Sequence, residues 1–350
     1  MQQINIYRNE HSFCGPISML QKLPNGEILL VFREALWKGI VNHTDPTTRT
    51  SLIRSSDNGK SWHSMVTPDP SGGNGTTITA LSNGTMIVSN YHWIFTDKSQ
   101  GKNIRKLPEY REVPKEIWRM DGALDGIYTC RSQTDGYTWE APRKVISDAL
   151  FSMTTAGRIV EMPDGCLLLP VNAKFKTDDN ASFSVMRSED HGESWNTPCA
   201  HAGYLQGTAF FETRMVLLND STLVAMHRTK SGNFYMSSSA DAGTTWNQPV
   251  ETPIWCGGSS PADLLVLNDG RLLCTYGHRR PPYGVRACIS DDGGNHWDTD
   301  HEIILRDDGI DKDMGYPSSL QLDKNTILTV YYWHGKEQIR YLEGTVWAAD

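Results

Sequence analysis

Apolar and polar residues alternate along this chain in six short segments, each interrupted by a tight polar turn. The segments are MLQKLPNGEILLVFR, TALSNGTMIVSNY, RIVEMPDGCLLLPVN, RMVLLNDSTLVAMHR, LLVLNDGRLLCTYGHR and SLQLDKNTILTVYYW. A period of two is typical of strands with one buried face, and Asn-Gly or Asp-Gly between two such runs is a strong hairpin signal. The sequence therefore predicts six β-hairpins. Their turn residues are Gly26, Gly84, Gly165, Ser221, Gly270 and Asn325.

A second pattern lies between the hairpins, a turn of the form Ser-x-Asp-x-Gly-x-x-Trp. It appears as SSDNGKSW, SEDHGESW, SADAGTTW and SDDGGNHW, and a degenerate copy, SQTDGYTW, has Thr134 in place of the Asp. We call these segments box turns; they end at Trp62, Trp139, Trp195, Trp246 and Trp297. Ser and Asp can bond the local backbone, Gly supplies a positive φ, and Trp can pack against its own blade. We expect a structural role for these residues and assign them no chemistry.

One hairpin and one box turn together describe a unit of four short antiparallel strands. The hairpin supplies the inner two strands, and the box turn joins the outer two. Six such units arranged radially leave only short strand edges exposed, which predicts an all-β, six-bladed β-propeller formed by residues 1–350 as a single domain. The sixth unit, which contains IRYLEGTVW, has no box turn after it. We therefore expect the N-terminal INIYRN to supply its outer strand and close the ring.

One interval departs from this repeat. The last three intervals between box tryptophans are 56, 51 and 51 residues, whereas Trp62 and Trp139 are 77 residues apart. The excess maps to residues 97–122 in the second blade, a charged segment with two prolines. Long insertions in loops often serve function, so we expect this one to form a wall of a pocket.

Composition narrows the possible functions. A net charge of −8 disfavours binding of nucleic acid over the whole surface. The seven cysteines include no CxxC pair and no metal-ligand spacing, so we expect reduced, buried thiols and neither a metal nor another cofactor. The N-terminus lacks an apolar signal segment, and the apolar runs are too short to span a membrane. These features predict a cytoplasmic protein that does not bind membranes; its oligomeric state stays open.

Equivalent positions of the six blades should form rings around the propeller axis. Nine residues before each hairpin turn residue stand Ile17, Gly75, Ala156, Glu212, Pro261 and Tyr316. Seven before it stand Met19, Thr77, Arg158, Arg214, Asp263 and Ser318, and seven after it stand Arg33, Tyr91, Asn172, Arg228, Gly277 and Tyr332. Structural rings should be small or apolar. The Arg, Glu and Tyr members therefore predict a site for an acidic or hydroxyl-rich ligand at one mouth of the ring.

The box turns resemble the Asp boxes of the sialidase superfamily, and the resemblance extends over nearly the whole chain. It implies the propeller fold. It is less specific for function, because that superfamily contains sialidases, other glycosidases, polysaccharide lyases and propellers that are not enzymes.

The resemblance also implies catalytic residues. FETRMVLLNDSTLVAMHR is similar to the sialidase segment that carries a Glu before the fourth hairpin and an Arg after it, here Glu212 and Arg228. MGYPSSLQLDKNTILTVYYW is similar to the segment with the nucleophilic tyrosine, here Tyr316. In this scheme Glu212 takes the proton of Tyr316 while the tyrosine attacks the anomeric carbon. The acid/base of the family would be Asp45, with His43 beside it.

The arginines that bind the substrate carboxylate match the family less well. YGHRRPPYGVR in the fifth blade offers Arg279, with Arg280 and Arg286 as alternatives. Sialidases begin with a Phe/Tyr-Arg-Ile-Pro motif, whereas this chain has Gly15 and Pro16 at the matching place. Arg33 or Arg158 could compensate from another position. Further candidates for substrate binding are Arg214, His43, Tyr91 and His92.

Three functions follow from these observations. The first is a sialidase-like exo-glycosidase that acts on an acidic or unusual sugar. The second is a polysaccharide lyase on a uronate-containing glycan, because the excess of His, Tyr and Arg near the mouth could neutralise a carboxylate and abstract a proton. The third is a carbohydrate-binding propeller without activity. All three expect a carbohydrate partner.

Overall fold

The computed structural model describes residues 1–97, 103–106, 110–112, 120–175, 178–203, 205–230, 232–256 and 260–349. Much of the predicted pocket wall at 97–122 therefore lies outside the described residues. The described part of it contains a short 3-10 helix, Ile104–Lys106, and a three-residue strand.

The described residues form twenty-six β-strands. In chain order they are β1 (Gln2–Tyr7), β2 (Ser12–Lys22), β3 (Ile28–Leu36), β4 (Arg49–Ser55), β5 (His63–Asp69), β6 (Asn74–Ala80), β7 (Met86–Asp97), β8 (Tyr110–Glu112), β9 (Met120–Ser132), β10 (Arg143–Lys144), β11 (Leu150–Thr154), β12 (Val160–Glu161), β13 (Leu167–Phe175), β14 (Asp178–Ser188), β15 (Asn196–Gly203), β16 (Phe211–Leu217), β17 (Leu223–Arg228), β18 (Asn233–Ser239), β19 (Val250–Trp255), β20 (Ala262–Val266), β21 (Leu272–His278), β22 (Tyr283–Ser290), β23 (Ile303–Gly309), β24 (Gly315–Gln321), β25 (Thr326–His334) and β26 (Arg340–Ala348).

These strands form six antiparallel sheets arranged as a ring, which confirms the predicted six-bladed propeller. From the axis outward, the blades are β2-β3-β4-β5, β6-β7-β9-β10, β11-β13-β14-β15, β16-β17-β18-β19, β20-β21-β22-β23 and β24-β25-β26-β1. The second blade carries β8 beside β9, and the third carries β12 beside β13. The N-terminal strand closes the ring as predicted, with Gln2 opposite Val346 in the pairing of β1 with β26.

The hydrophobic core is divided into six clusters, and each lies between two neighbouring blades. Leu20 and Leu30 of the first blade, for example, share a cluster with Leu328 and Tyr332 of the sixth. Ile87 of the second blade likewise packs with residues of the third. A single blade buries too little apolar surface to be stable alone, so closure of the ring completes all six cores.

The box turns have the predicted local structure. In the first, the backbone N–H of Gly59 donates to Ser55 Oγ at 2.9 Å, and Asp57 Oδ1 accepts from the Ser61 N–H at 2.9 Å. Trp62 Nε1–H donates to the Gly59 carbonyl at 3.1 Å. The tryptophans do not pack on their own blades alone, however. Trp62 contacts the cluster shared by the sixth and first blades, because the turn projects towards the neighbouring sheet.

This contact with the neighbouring blade can be tested at Gly192, in the box turn that ends at Trp195. Gly192 has φ +81°, and a Cβ there would lie 2.5 Å from Ile87 Cδ1 in the adjacent blade. Gly165, in a hairpin turn, has φ +84° but no atom within 4 Å of such a Cβ. We expect Gly192→Ala to lower the free energy of unfolding by about 2–3 kcal/mol and Gly165→Ala by about 1 kcal/mol. Urea unfolding of both variants measures the difference; equal losses would contradict tight packing at the turn.

Candidate functional site

A cavity of about 260 Å³ opens where the inner strands begin, at one mouth of the ring. Its walls come from five of the six blades, all but the third, and from the loop after β3. The lining residues are Pro16, Ile17, His43, Asn74, Gly75, Tyr91, Glu212, Arg228, Arg279, Asp313, Tyr316, Tyr332 and Arg340. The structure thus brings together six of the predicted site residues: His43, Tyr91, Glu212, Arg228, Arg279 and Tyr316.

Two of these side chains are aimed into the cavity by unusual backbone. Glu212 has φ 46° and Tyr316 has φ 52°, a left-handed conformation that costs energy in residues other than glycine. Both lie at bulges, because the strand register shifts between Phe211 and Arg214 and between Gly315 and Ser318. A bulge redirects a side chain at the end of a strand. Strain retained at two facing positions points to a functional site.

Tyr316, Glu212 and Arg228 form a hydrogen-bonded triad at the wall of the cavity. The Tyr316 hydroxyl lies 3.0 Å and 3.1 Å from the two carboxylate oxygens of Glu212. Arg228 Nη1 donates to the Tyr316 hydroxyl oxygen at 2.9 Å and also forms an ion pair with Glu212. The hydroxyl therefore has an acceptor for its proton and a cation beside its oxygen. This arrangement can deprotonate a tyrosine as it attacks an electrophile.

The electrostatics of this triad agree with that chemistry. Burial, followed by the nearby charge of Glu212, raises the pKa of Tyr316 well above its usual value. The phenol is thus neutral at rest and must lose its proton during the reaction. Burial alone would lower the pKa of Arg228, but the charges of Glu212 and Tyr316 raise it, so this guanidinium stays charged.

A second polar cluster lies beside this triad in the cavity wall, and the sequence did not reveal two of its members. Arg340 donates to the Asp313 carboxylate through Nε, at 2.9 Å, and through Nη2. The Tyr332 hydroxyl donates to Asp313 Oδ1 at 3.0 Å and accepts from Arg279 Nη2 at 2.7 Å. Arg340 and Asp313 were missed because the rings were counted on hairpin strands alone. Arg340 begins the third strand of its blade, and Asp313 lies in a loop.

The loop after β3 presents His43, and not Asp45, to the cavity. His43 lines the cavity, whereas Asp45 is 2% exposed and is not among the lining residues. Asp45 Oδ1 accepts from the backbone N–H of Thr47 at 2.9 Å and from its hydroxyl at 2.6 Å, so the carboxylate caps its own turn. Burial, then the positive charges of Arg340 and Arg33, lowers the pKa of His43 to about 4. The imidazole is therefore neutral at pH 7.

Four other predicted contacts lie outside the cavity lining. Arg33 is fully buried behind the wall, where Nη2 donates to the Asn42 carbonyl at 2.7 Å. A Cβ at Gly15 would lie 2.4 Å from Arg33 Cδ, so the glycine makes room for this side chain. His92 Nε2 lies 2.6 Å from Asp69 Oδ2, and the imidazole stacks on a tyrosine ring. Packing therefore accounts for the position of this histidine. The last two are Arg158 and Arg214, which lie deeper in the ring.

The fifth blade offered three arginines, and only Arg279 lines the cavity. Arg286 forms an ion pair with Glu302, and Arg280 lies over the Trp255 ring at 4.3 Å. Among the described residues, no group of His, Cys, Asp or Glu side chains could hold a metal ion, and no helix is long and apolar enough to cross a membrane. The six cysteines with described side chains are buried free thiols.

His227 does not line the cavity; it is a buried histidine that makes the fold sensitive to acid. Nδ1 lies 3.0 Å from the Thr213 hydroxyl, and Nε2 lies 2.8 Å from the Ser237 hydroxyl. Burial lowers its pKa from 6.5 to about 3. Because the unfolded chain binds this proton more tightly, stability is lost as pH falls from 6.5 towards 3.

We expect His227 alone to cost about 2 kcal/mol of stability between pH 7 and pH 5. In the variant His227→Gln, urea midpoints at these two pH values should move closer together than in the wild type. The exposed His63, changed to Gln, serves as the control and should leave the pH dependence unaltered. A variant at His227 with the wild-type pH dependence would contradict this assignment.

Known proteins share both the repeat and the fold of this chain. A family model described as a BNR repeat-like domain matches residues 110–328. A crystal structure of a protein of unknown function from Dyadobacter fermentans is 26% identical, with a TM-score of 0.87, and the match covers 99% of this chain and 97% of that one. No curated protein matches.

Two enzymes share the fold at lower identity. The intramolecular trans-sialidase from Ruminococcus gnavus, solved with oseltamivir carboxylate, is 13% identical, with a TM-score of 0.67 over 97% of this chain and 95% of that one. The leech intramolecular trans-sialidase, solved with 2,7-anhydro-Neu5Ac, is 12% identical, with a TM-score of 0.70 over 99% of this chain and 70% of that one. The chain thus shares a six-bladed propeller fold with these two enzymes.

Proposed function

Because this chain belongs to the BNR repeat-like domain family and has a sialidase-like propeller, we propose that it is a glycosidase that cleaves a sugar carrying a negative charge. One observation carries the proposal. The Tyr316 hydroxyl lies within hydrogen-bond distance of the Glu212 carboxylate, and both residues line the cavity.

The proposed reaction is a double displacement. Tyr316 Oη attacks the anomeric carbon while its proton passes to Glu212, and the bond from that carbon to the leaving oxygen breaks. Water then attacks the same carbon and releases Tyr316, which recovers its proton from Glu212. A neutral nucleophile suits a sugar with a carboxylate beside the reacting carbon, because an anionic one would be repelled.

The charges of the cavity support an anionic substrate. Arg228, Arg279 and Arg340 face only two carboxylates, Glu212 and Asp313, among the described lining residues. With His43 neutral, one positive charge remains for the ligand to balance. Guanidinium groups bind carboxylates through paired, charge-assisted hydrogen bonds. Arg340 would then supply the third arginine that Gly15 and Pro16 do not.

His43 is the group we assign to proton transfer at the leaving oxygen. It lines the cavity, whereas Asp45 of the same loop is buried against Thr47. A bound carboxylate would offset the charge of Arg340 and so raise the pKa of His43 in the complex. The imidazolium could then protonate the leaving oxygen, and the neutral ring could accept a proton from the attacking water.

This role predicts a dependence on the leaving group. We expect His43→Ala to lower kcat/KM by about 10²-fold or more for a substrate with an alcohol leaving group, which needs a proton. For an aryl glycoside, whose phenolate leaves without one, the loss should be within about 10-fold. The exposed His296, changed to Ala, is the control. Equal losses on both substrates would argue against proton transfer by His43.

The proposed function is tested by a substrate screen. Purified protein is incubated with fluorogenic glycosides and acidic oligosaccharides, and both reducing ends and ultraviolet absorbance are followed. We expect new reducing ends without ultraviolet absorbance, and none with Tyr316→Phe. Activity only on neutral glycosides would contradict an anionic substrate, and products formed equally by the variant would contradict the mechanism.

One observation favours a second candidate function, a lyase acting on uronates. His43 is neutral at pH 7 and could abstract a proton, while the facing arginines neutralise the uronate carboxylate. Elimination creates a carbon–carbon double bond conjugated with the carboxylate. Products of the same screen that absorb ultraviolet light would therefore support the lyase over the glycosidase.

A further inference from the structure

A second ring of residues lies two positions further along the chain than the ring that carries Glu212 and Tyr316. Its members are Met19, Thr77, Arg158, Arg214, Asp263 and Ser318, one from each blade. We call it the axial arginine layer. Met19, Thr77 and Ser318 are at most 1% exposed, whereas Arg158 is partly exposed. None of the six lines the cavity described above.

Arg214 is the unusual member of this layer. Its side chain is buried, with 2% exposure, yet Nε, Nη1 and Nη2 find no hydrogen-bond acceptor among the described residues. A guanidinium carries five N–H donors, and burying it without acceptors is costly. Such groups are rare in folded proteins and call for an explanation.

The neighbours of Arg214 do not balance its charge. Arg158 Nη1 donates to the Leu20 carbonyl at 3.1 Å and to Gln21 Oε1 at 3.2 Å, both of which are neutral. Asp263 acts electrostatically on both arginines, but its Oδ2 accepts from the Ser319 N–H at 2.7 Å. Glu212 also acts on Arg214 but is itself ion-paired with Arg228, so two guanidinium groups and one further carboxylate leave a positive charge in the interior.

The pKa directions agree with an excess of positive charge. Burial lowers the pKa of Arg214 and of Arg158, and burial raises the pKa of Asp263. A bound anion would stabilise both cations and supply acceptors to their N–H groups.

We propose that the axial arginine layer binds one small inorganic anion of the chloride type between Arg158 and Arg214. Small size follows from the burial of the other five members of the layer, which leaves little room for a larger ligand. The anion should carry a single charge, because two arginines face one carboxylate, that of Asp263. The ion would stabilise the ring from within, and this role does not depend on the proposed glycosidase activity.

The test is the response of thermal unfolding to halide. For the wild type, raising sodium chloride from about 5 to 500 mM at constant ionic strength, with sodium gluconate as the replaced salt, should raise Tm by about 2–5 °C. Arg214→Met should lose this response, and Arg271→Met, at a partly exposed site outside the layer, should retain it. The same Tm in chloride and gluconate for the wild type, or a full response in Arg214→Met, would overturn the proposal.

A second measurement covers the case in which Arg214→Met does not fold. Crystals of the wild-type protein soaked in bromide should show an anomalous peak within contact distance of the Arg214 guanidinium. Only water at that position, in crystals that bind bromide elsewhere, would equally overturn the proposal.

Discussion

Replacing Tyr316 by phenylalanine should lower kcat on the true substrate on the order of 10⁴-fold. The change deletes a single oxygen, the atom that lies 3.0 Å and 3.1 Å from the carboxylate oxygens of Glu212. Without it, Glu212 loses the hydroxyl whose proton it would accept. Initial rates with the substrate found in the screen give the measurement, and KM should change much less than kcat.

The folded state should tolerate this substitution, so that a loss of activity would not reflect unfolding. The phenyl ring retains its contacts with Tyr332 and with Arg279, whose guanidinium lies 5.3 Å from the ring centre. Arg228 keeps its ion pair with Glu212. Tm should therefore stay within about 3 °C of the wild type. Tyr137→Phe, at a residue that is 55% exposed, serves as the matched control variant. If Tyr316→Phe retains a tenth of wild-type activity or more, Tyr316 is not the nucleophile.

Replacing Arg340 by methionine should raise KM for an acidic substrate by about 10- to 100-fold. Methionine preserves much of the packing against Tyr332 but removes the charge that faces the cavity. Asp313 would lose its partner, and the remaining lining charges would then balance. The cavity would no longer prefer an anion. The effect should appear mainly in KM, because Arg340 touches neither Tyr316 nor Glu212 through a hydrogen bond.

A substrate analogue without the carboxylate separates binding of the charge from damage to the fold. Its turnover should change by less than about 3-fold in Arg340→Met, since it has no group for Arg340 to hold. The exposed Arg143, with a side chain that is half accessible, gives the control substitution by methionine. An equal loss on the acidic substrate and the uncharged analogue would mean that Arg340 supports the pocket wall and does not bind the charge.

The fold could be predicted because its information is local and repeated. Six hairpins and five box turns each specify a short segment, and their spacing leaves few arrangements other than a ring. The same counting located Glu212, Arg228 and Tyr316, because equivalent residues of equivalent blades reach the same height along the axis. The sequence also predicted that an N-terminal strand completes the sixth blade.

The rest of the site depends on contacts that local patterns do not contain. Asp45 and His43 are two residues apart in one loop, and only the folded loop decides which of them faces the cavity. Arg214 occupies a ring position as regular as that of Glu212, but a bulge between them separates a lining residue from a buried one. Arg340 lies beyond the hairpins on which the counting rested. Each of these differences arises from neighbouring blades or from irregular backbone.

The closure of the ring by β1 and β26 has a consequence for how this protein is made. The two strands pair residues at opposite ends of the chain, such as Gln2 and Val346. Contacts of such sequence separation form late, because the loop between them must first be ordered. During synthesis, the face of the first blade that packs against the sixth stays exposed until β26 has left the ribosome. The cavity joins Pro16 and Ile17 of that first blade to Tyr316 and Tyr332 of the last. A nascent chain would thus acquire its binding site in the final step of folding, and truncation near the C-terminus would abolish binding before it abolished blade formation.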